Sequence, residues 1–244
     1  MKQNITYAKV SNYGNRPVNE DSIGEFIGSN GKGFIVCDGL GGHGMGDIAS
    51  SLVRDVFVHQ FSTMEKPSKI LNLAFLSAQD ILLAEQQRLR AVKKMKTTAV
   101  SVVLDEKKAY IGHIGDSRLY IFNKNEVLKR TKDHSIPQML VEAREITEDQ
   151  IRNHPDRSML LKVMGIEWEN PMYELMKPIA LKKCQAFLLC TDGFWELIEE
   201  SDMTRTLKES TSVEEWLSKM NIIVQENGKG KNMDNNSAIA IWCR

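Results

Sequence analysis

Apolar and polar positions fall mostly into short strand-like runs, with helical spacing in only a few places. Ile5 to Val10 reads as a strand, and the polar, turn-rich stretch Asn12 to Asp21 as a loop. Ile23 to Ile27 and Phe34 to Cys37 predict a hairpin joined by the Gly-rich segment Gly28 to Gly33. Leu40 to Gly46 is too glycine-rich for helix. Asp47 to Phe61 then has helical spacing that puts Ile48, Leu52, Val56 and His59 on one face. Pro67 suits a first helical turn, and a helix to about Arg90 carries the stripe Ile70, Leu71, Leu73, Ala74, Ala78, Ile81, Leu82 and Ala84. Thr98 to Leu104, Ala109 to Ile114, Arg118 to Phe122 and Val127 to Arg130 predict strands whose close spacing implies an antiparallel meander.

Asp133 to about Met164 mixes short helical pieces with polar residues and reads as an irregular flap, with a capping box at Thr147-Glu148-Asp149-Gln150. Strands return at Pro171 to Met176 and Gln185 to Thr191. Helices follow near Ser201 to Lys208 and Ser212 to Gln225, the latter opening with Ser212-x-x-Glu215, and Ser237 to Trp242 is a last strand. This order favours an α+β fold with antiparallel sheets over a parallel βαβ array.

Bulk composition narrows the class. The 244 residues suit one large domain or two small ones, and 42% hydrophobic with 26% charged residues is an ordinary globular balance. The 32 basic residues match the 32 acidic ones, which argues against a dedicated nucleic-acid binder. Cys37, Cys184, Cys190 and Cys243 form no CxxC pair, so zinc is not expected and a reducing cytoplasm is. The first residues lack a signal-peptide stretch, and no run approaches the ~20 apolar residues of a membrane span.

The candidate chemistry lies at strand ends. Phe34-Ile35-Val36-Cys37-Asp38-Gly39 and Phe187-Leu188-Leu189-Cys190-Thr191-Asp192-Gly193 are both apolar runs ending in Asp-Gly. One such end is a common turn; two of the same build suggest carboxylates converging on a cation. Glu20 and Asp21, Asp116 and Asp234 also sit in connections or at strand edges. Hard oxygen donors without Cys or His partners imply Mg²⁺ or Mn²⁺, and such sites serve phosphate-ester hydrolysis. Arg16 is then a bidentate partner for phosphate. His43 and His134 are better suited to loop capping or packing than to proton transfer, and Met95, Met139, Met159 and Met164 read as packing residues.

These residues resemble the metal-dependent Ser/Thr protein phosphatases of the type 2C family in its short bacterial form. The matching blocks are Arg16-x-x-Asn-Glu-Asp21, Asp38-Gly-x-Gly-Gly-His43, Thr97-Thr98, Gly115-Asp-Ser-Arg118, Thr131-x-Asp-His-Ser135, Thr191-Asp-Gly-x-Trp195 and Asp234-Asn235, in the family's order. The resemblance implies a four-layer α-β-β-α sandwich of two antiparallel sheets flanked by helix pairs. It implies one phosphatase domain over residues 1–244, with the flap at about 133–165 beside the active site. It also implies two catalytic Mn²⁺ or Mg²⁺ ions: Asp38 bridges them, Glu20 and the Gly39 carbonyl serve one, and Asp192 and Asp234 serve the other. Asp116 helps bind a third, weaker ion, Arg16 binds the phosphate, and Asp21 supports metal-bound waters. The implied reaction is in-line attack of a metal-bridging hydroxide on phosphoserine or phosphothreonine in proteins. The implied setting is a monomer in a bacterial cytoplasm, reversing a eukaryotic-like Ser/Thr kinase, with no nucleic-acid or membrane partner.

The chain departs from the pattern at Leu40, where many eukaryotic relatives have a His proposed as general acid. It departs also at Lys96 before the Thr pair, at Asn232-Met233 before Asp234, and at Arg144, a flap position often Gly. None of these removes an expected ligand. The competing functions are a non-catalytic phosphoprotein-binding or scaffold relative, and another two-metal hydrolase such as a nuclease.

Overall fold

The computed structural model of the chain describes residues 4–41, 44–92, 94–123 and 126–243. One sheet has the strand order β1 (Ile5–Asn12), β11 (Asn236–Cys243), β10 (Ala186–Cys190), β6 (Arg118–Phe122) and β7 (Val127–Arg130). The other runs β2 (Asp21–Ile27), β3 (Lys32–Asp38), β4 (Ala99–Leu104), β5 (Lys108–Ile114) and β8 (Glu174–Leu175), with β9 (Ile179–Ala180) also on β5. All pairings are antiparallel.

Period-two alternation explains why the central strands are apolar throughout. Phe34 and Val36 on β3 face Phe187 and Leu189 on β10 in a core between the sheets, together with Val100, Val102, Leu119, Ile121, Ile239 and Ile241. The intervening Ile35 and Cys37 point outward to α1 (Gly46–Ser62) and α2 (Pro67–Arg88), against Phe57, Phe61, Phe75 and Leu82. Leu188 and Cys190 point to the opposite layer, which holds α4 (Asp192–Trp195), α5 (Glu200–Glu209) and α6 (Val213–Gly228), with Trp216 and Met220. The fold is therefore the expected α-β-β-α sandwich, and all four cysteines are buried and free.

Several expectations are corrected. The strands from Thr98 to Arg130 are not one meander: β4 and β5 belong to one sheet, β6 and β7 to the other. The chain changes sheets at Gly115-Asp116-Ser117, where Gly115 has φ +98° and a side chain would press on Thr98. On α1 the buried face is Gly46, Ala49, Ser50, Val53, Val56, Phe57 and Phe61, while Ile48 and His59 are exposed. The two phenylalanines carry more apolar area than Ile48 and fix the rotation. Leu73, Ile81 and Ala84 of α2 are likewise exposed, and Phe75 takes the core position. Pro171 to Met176 shrinks to the short strand β8. Met95 and Met164 are core residues, but Met139 and Met159 are half exposed on the flap.

The flap contains α3 (Ile136–Glu142), capped by Ser135, and a 3₁₀ turn at Glu148–Asn153 capped by the Thr147–Gln150 box. Its returning limb is strapped to its start, with Ile136 N–H to Met159 O at 3.0 Å and Leu161 N–H to His134 O at 2.8 Å.

Candidate active site

The carboxylates meet at one end of the sandwich and come from both sheets. Asp38 ends β3 directly opposite Asp21, the first residue of β2. The Asp38 peptide is pinned on both sides: its N–H donates to Thr98 Oγ1 (3.1 Å), and its carbonyl accepts from Thr97 Oγ1 (2.8 Å) and Thr98 N–H (2.9 Å). Glu20 lies in a glycine cradle, since a Cβ on Gly41 would overlap its carboxylate and one on Gly39 would overlap its backbone. Its N–H donates to Asn235 Oδ1 (2.8 Å), and Asn235 Nδ2 donates to Tyr13 O and Val18 O, so this asparagine clamps the loop before β2. Asp192 opens α4, and its Oδ1 accepts from Gly193 N–H (2.6 Å). Asp234 Oδ1 accepts from Asn235 N–H (2.8 Å), and its Oδ2 pairs with Arg16 Nη2 at 2.9 Å.

A cleft of about 460 Å³ is lined by Arg16, Glu20, Asp38, Gly39, Asp116, Asp192 and Asp234. Apolar Pro17, Val18, Leu40 and the flap's Leu160 form its walls. Asp21 sits behind this surface, 8% exposed, with Oδ2 accepting from Thr191 Oγ1 (3.0 Å) and Oδ1 without a partner. A depression of about 500 Å³ between β7 and α5 is slightly larger. Its Arg205 is paired with Asp202 and Glu209, and no catalytic group faces it.

Electrostatics single out the cleft. Burial raises the Asp38 carboxyl well above the ordinary range, and Asp192, Asp21 and Asp116 add repulsion. Burial and Asp192 do the same to Asp116. Asp192 is raised by burial and by Asp234, and Asp21 is pushed up to about 7, chiefly by burial. Glu20 is raised by burial, Asp47 and Asp234, against a Gly46 backbone hydrogen bond and Arg16. The Asp38 and Asp192 carboxyl groups act directly on each other's protonation. Two ionised carboxylates at about 4 Å repel by about 4 kcal/mol at an effective dielectric of 20. A site built this way requires protons or cations, and its donors are all hard oxygens. Divalent hard cations fit it, with Asp21 Oδ1 as an additional unmatched acceptor.

The sheet crossover that holds Asp116 is braced from several directions. Ser117 Oγ and Thr98 Oγ1 are 2.7 Å apart, which links this turn to the Asp38 peptide. Trp195 Nε1–H donates to Asp116 O (3.0 Å), and the Arg118 guanidinium lies 3.4 Å over the Trp195 ring. Arg118 makes a bidentate, buried pair with Asp133 at 2.9 and 2.7 Å. Sequence reasoning named these residues as parts of motifs but not their pairing. The one local signal was the repeated presence of Asp and Arg in otherwise buried blocks.

His134 has a packing and capping role, as expected. His43 lies outside the described residues. His113, missed in the sequence, stacks on His134 with centroids 4.7 Å apart and rings 12° from parallel. Together with Glu174 they bring three ligand-type atoms within 4.8 Å of one another. Imidazole lone pairs lie in the ring plane, and near-parallel stacked rings cannot aim both at one ion. The His134 Nδ1 lone pair is also engaged by Gly115 N–H at 3.2 Å. This trio is not a metal centre.

An oxygen-only acidic cleft at the end of a four-layer α-β-β-α sandwich is the architecture of metal-dependent protein phosphatases. The family model described as Protein phosphatase 2C matches residues 10–232, and the chain belongs to that family. It is 29% identical over 212 residues to the serine/threonine phosphatase stp of Listeria welshimeri, covering 81% of this chain and 80% of that protein. The crystal structure of the serine/threonine phosphatase Stp1 from Staphylococcus aureus superposes with TM-score 0.89 at 26% identity, over 98% of this chain and 95% of that one. A structure of the PstP catalytic domain in complex with two manganese ions shares the fold, with TM-score 0.81 at 22% identity over 98% of each chain. Among the described residues no helix is long and apolar enough to cross a membrane.

Proposed function

We propose that this chain, folded as one phosphatase domain, removes phosphate from phosphoserine and phosphothreonine in proteins with the aid of two Mn²⁺ or Mg²⁺ ions. The observation that carries the reading is the convergence of Glu20, Asp38, Asp116, Asp192 and Asp234 on one cleft with Arg16 at its mouth. The manganese ions of the PstP structure support it. In this reading Asp38 would serve both ions, Glu20 and the Gly39 carbonyl one, and Asp192 and Asp234 the other, and Asp116 would help hold a third, weaker ion. Bound ions of this kind lower the pKa of a water and so supply a nucleophile at neutral pH.

The remaining work falls to the protein. Arg16, half exposed and paired with Asp234, offers its free guanidinium edge to the phosphate oxygens. Asp21 orders water at the back of the site through its unpaired oxygen. Leu40 and Leu160 exclude bulk water from the cleft walls. Leu40 carries no ionisable proton, so the leaving alkoxide is not protonated from that position. The setting is a bacterial cytoplasm, where the enzyme works as a monomer opposite a eukaryotic-like Ser/Thr kinase.

The test is phosphate release from a phosphothreonine peptide in Mn²⁺, with and without EDTA. Release should stop in EDTA and fall more than about hundredfold in Asp38→Asn and Asp192→Asn. Turnover that persists in EDTA overturns the metal-dependent reading. Phosphopeptide binding without turnover in any divalent ion would establish the scaffold instead.

A further inference from the structure

His134 sits where two structural units meet, and its hydrogen bonds are not those of a simple packing residue. Its N–H donates to Gly115 O at 2.9 Å, and its Nδ1 accepts from Gly115 N–H at 3.2 Å. The two residues thus exchange hydrogen bonds, one of them through a side chain. Gly115 precedes Asp116 and has φ +98°, in the left-handed region. On its other side, the His134 carbonyl accepts from Leu161 N–H at 2.8 Å, and Ser135 bridges to Leu160. Leu160 and Ser158 form the flap wall of the cleft, and Asp116 forms part of its floor. His134 therefore lies on a continuous covalent and hydrogen-bonded route between the flap wall and an acidic residue of the site.

The bond to Gly115 also sets the proton. A backbone N–H donates only to a lone pair, so Nδ1 is unprotonated and Nε2 carries the hydrogen. His113 supports this arrangement. Its Nε2–H donates to Lys132 O at 2.8 Å, which fixes its own ring, and that ring stacks on His134. No other side chain in the described residues contacts the Gly115 N–H, so loss of Nδ1 leaves a buried donor unmatched.

We infer that His134, as the neutral Nε2–H tautomer, is a positioning residue that couples the flap wall to Asp116. It holds the Asp116 turn through Gly115 while its carbonyl holds the returning limb of the flap. The inference rests on the phosphatase reading for its activity readouts, but the geometry stands without it. The decisive comparison is between His134→Leu, which fills the space without an acceptor, and His134→Asn. The Asn side-chain oxygen can occupy the place of Nδ1, although the ring stack on His113 is lost.

The expected result is that His134→Leu raises both the peptide KM and the Mn²⁺ concentration for half-activation about tenfold, the equivalent of one unmatched buried donor. His134→Asn should stay within about threefold of wild type on both. Calorimetric Mn²⁺ titration should show the same order of affinities without reference to turnover. Thermal melting of both variants identifies any that fail to fold. Equal damage in both folded variants, or none in His134→Leu, overturns the inference. Long-range ¹⁵N–¹H correlation spectra of the wild-type protein give a separate answer: an Nδ1–H tautomer at His134 also overturns it. An inactive wild-type protein would defeat the phosphatase reading alone, because the tautomer and the calorimetric ranking can still be read.

Discussion

Asp133→Asn removes one negative charge and almost no volume from the most enclosed ion pair among the described residues. Arg118 and Asp133 expose 3% and 2% of their side chains, and the two contacts are 2.9 and 2.7 Å. An intact pair of this kind is a weak source of net stability, since desolvation consumes most of its Coulombic gain. Breaking it from one side is different, because the guanidinium stays buried without a counter-charge, at a cost of about 3–5 kcal/mol. Arg118 keeps its hydrogen bond to Tyr120 OH (3.0 Å) and its stack on Trp195, which points to the lower end, about 3 kcal/mol. Against a total stability of roughly 5–15 kcal/mol that is a large fraction. The assay is urea unfolding of metal-free protein, followed by far-ultraviolet circular dichroism, on Asp133→Asn, Arg118→Met and the double variant. The double variant should cost less than the sum of the singles by at least about 1.5 kcal/mol. Glu142→Gln, which breaks the Lys132–Glu142 pair with 59% and 56% exposed side chains, is the surface control and should change stability by under about 0.5 kcal/mol. A cost below about 1 kcal/mol for Asp133→Asn, or additive singles, would refute the reasoning.

Arg144 is exposed with φ +63°, in the left-handed region where a Cβ is strained, so Arg144→Gly should raise stability by about 0.5–1 kcal/mol. A melting temperature that is unchanged or lower would contradict this. The His134 imidazole is pushed down to about 3, mainly by burial, with His113 and Lys162 adding to the effect and Asp133 opposing it. Its stabilising contribution is therefore full above the unfolded value of about 6.5 and is lost as pH falls from there toward 3. Between pH 6.5 and 5 the stability advantage of wild type over His134→Asn should shrink by up to about 2 kcal/mol, at about 1.4 kcal/mol per pH unit. A difference that stays constant across that range would show that His134 does not titrate as described.

The sequence disclosed most of what local pattern can encode. Apolar runs marked the central strands, Ser212 and Thr147 marked the starts of α6 and of the 3₁₀ turn, and Asp-Gly marked the ends where Asp38 and Asp192 stand. The left-handed backbone at Arg144 coincides with a position where glycine was expected. Sheet membership was not legible, because a short turn between strands is compatible with a hairpin or with a change of sheet. Only the braced Gly115 turn separates the two here. Helix rotation on α1 was misjudged by about one residue, because small Gly46, Ala49 and Ser50 give little signal beside Phe57 and Phe61. The Arg118–Asp133 pair joins residues that are 15 apart in sequence, and the charged residues in otherwise buried blocks do not say which of them meet. Met233, at another unexpected position, packs its sulfur against Gly228 at the end of α6 and exchanges hydrogen bonds with Asn15. The loop before Asp234 is thereby fixed by a side chain where flexible residues were expected.

The division of the carboxylates between sheets has a further consequence. Asp21 and Asp38 ride on one sheet, while Asp192 and Asp234 flank β10 and β11 of the other. Their separations are therefore set by how the two sheets register through Phe34, Val36, Phe187 and Leu189, not by any single loop. A cation bound across them would act as a rivet between the layers, and its affinity would report the alignment of the whole sandwich. A core substitution far from the cleft that lets the layers slide by a fraction of an ångström would loosen the rivet before it unfolded the protein.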